Sequence, residues 1–163
     1  GEYFVVVFMA PSSQELEPPG KPGRFTAISG IDYVHAVYAT TPLHFDFLIH
    51  YAQLFSPDMT VMDGRVFIRE LYDANRHREL VESTQDADRV QYWMNLLEIT
   101  GLFDELKTDQ AIALAQIISQ CWNNKLLAEH GSSCGEARYI CNTDSDEVFV
   151  TITRWPLVEA EGR

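Results

Sequence analysis

A helix that is apolar on most of its sides has to be surrounded by the rest of its fold. The stretch from Thr108 to Glu129 has that pattern. Thr108 is placed to cap its start and Gly131 to stop it. Ile112, Leu114, Ile117, Ile118, Cys121, Trp122 and Leu126 leave its first two-thirds little polar surface. This helix is therefore expected at the centre of the core. The spacing of Trp93, Met94 and Trp122 likewise suits core packing better than a cofactor site.

Antiparallel signals lie on either side of the helical middle. Met59–Ile68 reads as a hairpin because Asp63-Gly64 suits a type I′ turn. Ala137–Ile140 and Val148–Thr153 flank the polar turn 142–146 and read as a closing hairpin. Tyr3–Ala10 is uncharged, β-branched and aromatic, which suits a strand buried on both faces. Phe25–Ala39 alternates in its second half, with Ile31, Tyr33, His35 and Val37 on one face, and reads as another strand. Strands, then helices, then strands imply an α+β fold. The expected form is a mainly antiparallel sheet, of N-terminal strands plus the C-terminal hairpin, packed against a central group of about four to five helices.

Three further helices fill the middle. One begins at Thr41-Pro42 and ends before Pro57; its apolar residues lie nearly all round, so it is expected to pack deeply. A charged helix covers 69–81. A third, capped by Ser83 or Thr84, carries Val90, Trp93, Met94 and Leu97 and ends at Gly101. The length of 163 residues suits one domain over 1–163, with an exposed Pro/Gly-rich loop at 11–23.

Charge narrows the functional classes. Twelve Lys+Arg stand against 24 Asp+Glu, a formal net charge of −12. Such a field repels nucleic-acid backbones and anionic lipid surfaces and favours a basic protein partner. No apolar run is long enough to span a bilayer as a helix, so no membrane association is expected. Three cysteines without CxxC spacing do not make a secreted disulfide framework, and a reducing cytoplasm is the default expectation.

The acid is concentrated in 70–109, beside aromatics that suit a docking surface. The candidate partner-binding residues are Tyr72, Asp73, Glu79, Glu82, Asp86, Asp88 and Tyr92, the rings as anchors and the carboxylates for steering. The resulting expectation is a non-catalytic acidic protein-binding domain, by functional analogy an inhibitor or immunity-type protein that neutralises a basic partner.

The alternative is a cysteine-dependent hydrolase or transferase. Asp46 and His50 lie one turn apart on a helix, and Cys134 sits among small residues in Ser132-Ser133-Cys134-Gly135. An Asp that orients an imidazole, and an imidazole that deprotonates a thiol, is the required chemistry. No cofactor is expected, because GxGxxG, GxxxxGK[ST] and GxSxG are all absent. No metal is expected either: HExxH is absent, and His44 and His50 fall on opposite sides of their helix.

Overall fold

The computed structural model describes residues 30–41, 43–103, 105–142 and 144–155. The expected strand at Tyr3–Ala10 and the loop at 11–23 lie outside the described residues. The chain divides into two compact units, 1–43 and 44–163.

In the first unit the described element is a helix, α1 (Gly30–Thr40). This corrects the expected strand over 30–39; the rest of it, 25–29, lies outside the described residues. An alternating pattern becomes a strand only where a neighbouring strand satisfies its backbone. A helix satisfies the same groups within itself. Asp32 lies in its first turn, where a carboxylate suits the positive end of the helix dipole. Thr40 Oγ1 donates back to the Ala36 carbonyl at 2.9 Å.

The second unit carries the remaining elements. They are α2 (Phe45–Phe55), β1 (Met59–Met62), β2 (Arg65–Ile68), α3 (Ala74–Thr84), α4 (Ala87–Met94), β3 (Leu97–Glu98), α5 (Ile99–Leu102), α6 (Thr108–Glu129), β4 (Glu136–Asn142) and β5 (Glu147–Thr153). The fold is α+β with two small antiparallel sheets, β1-β2 and β3-β5-β4.

α6 packs into the main core along one face, but it is not surrounded as expected: Ile117 and Leu127 are 53% and 64% exposed. Its buried face is Ala111, Ala115, Ile118, Ser119, Trp122 and Leu126. The apolar members meet Val148, Val150 and Ile152 of β5 and Val66 and Ile68 of β2. Each large side chain buried in this way contributes roughly 1.5–3 kcal/mol relative to exposure. Thr108 is the first residue of the helix rather than the cap expected; the cap position is Lys107, whose N–H donates to Gln110 Oε1 at 3.1 Å. Gly131, at φ 73°, follows its end, where a left-handed residue is cheap only for glycine.

Both expected hairpins are present. β1 and β2 pair from Met59↔Ile68 to Met62↔Arg65 around Asp63 and Gly64, whose φ values of 51° and 73° fit the type I′ turn. β2 is buried on both sides. Val66 and Ile68 face the main core, and Phe67 joins Val90 and Met94 in a second, smaller one. β4 and β5 pair without a bulge from Glu136↔Thr153 to Asn142↔Glu147. α6 packs against one face of this sheet. α4 lies on the other, where Thr151 Oγ1 donates to the Tyr92 carbonyl at 2.8 Å.

Three other helices differ from expectation. The charged helix expected over 69–81 starts only at Ala74, after a 3-10 turn at Arg69–Leu71, and runs to Thr84. α2 has no buried residue, although deep packing was expected. It meets the core through Leu54 and Phe55 at its C-terminal end, where Trp122 Nε1 donates to the Leu54 carbonyl at 2.8 Å. Phe45 and Phe47 remain 71% and 49% exposed. α4 is capped by Asp86 rather than by Ser83 or Thr84, and it stops at Met94 rather than reaching Gly101. Leu97 is therefore in β3, paired with Val150. The break falls at Asn95, whose side chain is drawn into a buried junction between strands.

That junction is built from two amides one turn apart. Gln91 Nε2 donates to the carbonyls of Val66 (3.2 Å) and Cys134 (2.7 Å), and Gln91 Oε1 accepts the Arg154 N–H (3.1 Å). Asn95 Nδ2 donates to Val66 (2.9 Å) and Ile152 (3.2 Å), and Asn95 Oδ1 accepts the Ile68 N–H (2.8 Å). Both residues are fully buried. They satisfy the outer edge of β2 and the edge of β5 beyond β3, and so join the two sheets without a strand between them.

Candidate protein interface

The acidic segment around α3 and α4 uses many of its side chains internally. Asp73 caps α3 by accepting the Arg76 N–H at 2.7 Å. Asp86 caps α4 through the N–H groups of Asp88 (2.9 Å) and Arg89 (3.3 Å). Asp88 forms an ion pair with Arg65 at 2.9 Å, tying α4 to the β1–β2 hairpin. The geometry of these carboxylates is set by the fold.

The two candidate rings are also partly committed. Tyr72 packs edge-on against Phe67, with centroids 5.7 Å apart, and lies 5.5 Å from the His77 ring. Tyr92 makes edge contacts with Trp93 (5.0 Å) and Trp155 (5.4 Å). Partial burial pushes the Tyr92 phenol above its ordinary value, because desolvation disfavours phenolate. Arg89 sits over the opposite partner, 5.1 Å from the Trp155 ring.

Glu79 and Glu82 are different. Both are exposed on α3, and neither enters a hydrogen bond or ion pair among the described residues. Arg76, Glu79 and Glu82 follow one another along the helix at steps of three residues. At the Arg76 end, its guanidinium donates to the Trp93 carbonyl at 3.1 Å. Trp93 is 39% exposed and Val81 is 45% exposed. Trp93 is thus the open ring of this surface. Sequence reasoning missed it, because its spacing with Met94 pointed to the core.

The residues of the alternative, catalytic reading lie in separate settings. Cys134 is buried in the short turn after α6, and its nearest polar partner is the His130 carbonyl, 3.6 Å from Sγ. His50 is exposed on α2, with Nδ1 3.0 Å from Gln53 Oε1. Asp46 is exposed and engages neither of them among the described residues. Among the described residues no group of three His, Cys, Asp or Glu side chains is placed to hold a metal ion. No helix among them is long and apolar enough to cross a membrane.

A polar cleft of about 420 Å³ lies at the start of β4, lined by Ser132, Ser133, Glu136, Arg138, Arg154 and Trp155 among others. Arg138 is neutralised there by Glu136 at 2.8 Å. The cleft is thus polar and open, with Arg154 as its unpaired cation among the described residues. No family model, no curated protein and no solved structure matches the chain.

Proposed function

We propose that the chain is a non-catalytic, acidic protein-binding domain of the inhibitor or immunity type, which docks and neutralises a basic protein. The observation that carries this reading is the surface of α3 and α4. Glu79 and Glu82 stand exposed and without ion pairs among the described residues, on a helix whose neighbour presents the open ring of Trp93. Unpaired carboxylates at the rim accelerate encounter with a cationic surface, and an exposed indole supplies the apolar anchor. The net charge of −12 extends the same attraction beyond the contact itself. Asp73, Asp86 and Asp88 support the surface by fixing α3 and α4, rather than by being free to reorganise around a partner.

The test is affinity capture from a native lysate at low salt, with the bound proteins released by rising salt and identified by mass spectrometry. The expected result is a basic protein that leaves as salt rises and is held less well by the Glu79→Gln/Glu82→Gln variant. Equal retention by wild type and variant would remove α3 from the interface. An eluate without a basic protein would overturn the reading itself.

A further inference from the structure

We propose that the outer edge of β4, at Tyr139 and Cys141, takes up an extended basic segment of the partner as an added strand. The positive charge assigned to that segment rests on the basic-partner reading; the open edge does not.

The edge follows from the hydrogen-bond pattern. Both backbone groups of Ala137 are held from outside the sheet: its N–H donates to Asn123 Oδ1 (2.7 Å), and its carbonyl accepts from Asn123 Nδ2 (2.8 Å). Ala137 therefore faces away from β5, although it lies opposite Ile152. In an antiparallel ladder this alternates with period two, so Tyr139 and Cys141 also aim their N–H and C=O groups away from β5. The far side of β5 agrees. Val148 N–H donates to Thr100 Oγ1 (3.3 Å), Val150 pairs with Leu97, and the Ile152 carbonyl accepts from Asn95.

Side-chain amides seal several free strand positions in this fold, although the outward positions of β1, Met59 and Val61, have no such partner among the described residues. Gln91 and Asn95 seal β2 and β5, and Asn123 seals the first outward position of β4. The Asn123 amide offers one donor and one acceptor, as an adjacent strand would. No side chain among the described residues does this for Tyr139 or Cys141. The unsealed stretch carries no proline and no bulge, the usual devices that blunt an edge. Gln116, Gln120 and Asn123 lie at i, i+4 and i+7 along the flanking α6, and Gln120 is exposed without a hydrogen bond among the described residues.

Charge selects the occupant. Arg138 is neutralised by Glu136 within the strand. At the other end, Asp144 and Asp146 are exposed in the β4–β5 turn without ion pairs among the described residues. A strand laid along this edge thus meets backbone donors and acceptors and then uncompensated carboxylate, which suits lysine and arginine. A second copy of the chain would bring another −12 to the same place and is disfavoured by repulsion.

The test is residue-resolved amide exchange on the whole chain, with and without a capped peptide of alternating lysine and valine. In the free chain, Ala137 should be protected and Tyr139 and Cys141 should exchange fast. Bound peptide should slow the latter two by about tenfold or more. The same peptide N-methylated at alternate amides should not slow them. Tyr139→Pro, which removes an outward N–H and none used by β5, should abolish the effect at Cys141.

Peptide that binds without slowing these two amides overturns the edge and leaves the basic-partner reading intact. Equal protection by a threonine–valine peptide keeps the edge and overturns its basic occupant. Protection already present in the free chain overturns the proposal as well. If independent of concentration, it identifies a segment of the chain itself as the occupant; if it rises with protein concentration, it identifies a second copy.

Discussion

Gln91 and Asn95 stand one turn apart on α4 and both donate to the carbonyl of Val66, at 3.2 and 2.9 Å. Their remaining bonds reach Cys134, Ile152, Ile68 and Arg154. Two amides therefore do the work of a missing strand between the sheets. A buried backbone group left without its partner costs about 1–3 kcal/mol, so this junction decides much of the stability.

Asn95→Leu leaves the Ile68 N–H and the Ile152 carbonyl buried without their amide partner. It should lower the unfolding free energy by about 3 kcal/mol in urea denaturation. Asn95→Asp should be no better, since its carboxylate faces two carbonyls. Because both amides share Val66, Gln91→Leu and Asn95→Leu should be non-additive in a double-mutant cycle. Additive losses would mean that the two act separately.

Gly135 has φ 126°, and a Cβ there would stand 3.0 Å from Gln91 Nε2 and 3.2 Å from Ile152 Cγ2. Gly135→Ala should therefore destabilise by about 2 kcal/mol or more, through backbone strain and displacement of the Gln91 amide. The same substitution at Gly64, which has open space around it, should cost less, although its φ is also positive. Thermal denaturation of the two variants compares them directly.

Trp122 Nε1 holds the Leu54 carbonyl at the end of α2. Trp122→Phe keeps most of the buried ring and loses the donor. Global stability should fall by about 1–2 kcal/mol. Cleavage within Phe45–Phe55 should rise more than cleavage elsewhere, because α2 has few other attachments. Uniform acceleration of proteolysis would contradict a local role.

Burial raises the Tyr92 phenol above its ordinary value. The folded state then holds the phenolic proton more tightly than the unfolded state. This contribution is fully present below about pH 10 and is lost as pH rises through the folded-state value. Tyr92→Phe should flatten the alkaline fall in stability and remove a component of the phenolate absorbance that titrates above the ordinary phenol value. An unchanged alkaline profile would show that Tyr92 ionises as freely as an exposed phenol.

The elements legible in the sequence were those whose signals are local. Asp63-Gly64 marks its hairpin through φ alone, and the run from Thr108 to Gly131 carries its own periodicity and stop. Gly30–Thr40 shows where locality fails: alternation describes side chains and does not say whether a partner strand exists. α2 shows the same for burial, since an apolar composition does not specify how much of a helix the core can cover. Asn95 was illegible because its bonds span up to 57 residues of sequence. The acidic surface was legible as composition, but not in its division of labour. Capping carboxylates such as Asp73 and Asp86 look the same in sequence as free ones such as Glu79.

The most direct measurement is the association rate of the captured basic partner with wild type and with Glu79→Gln/Glu82→Gln, at low and at physiological salt. Steering by the acidic face predicts a wild-type rate that falls about tenfold or more as salt rises. The variant should associate more slowly at low salt and depend less on salt, with similar dissociation rates. Association that is equally fast in both proteins and insensitive to salt would contradict an acidic docking surface on α3.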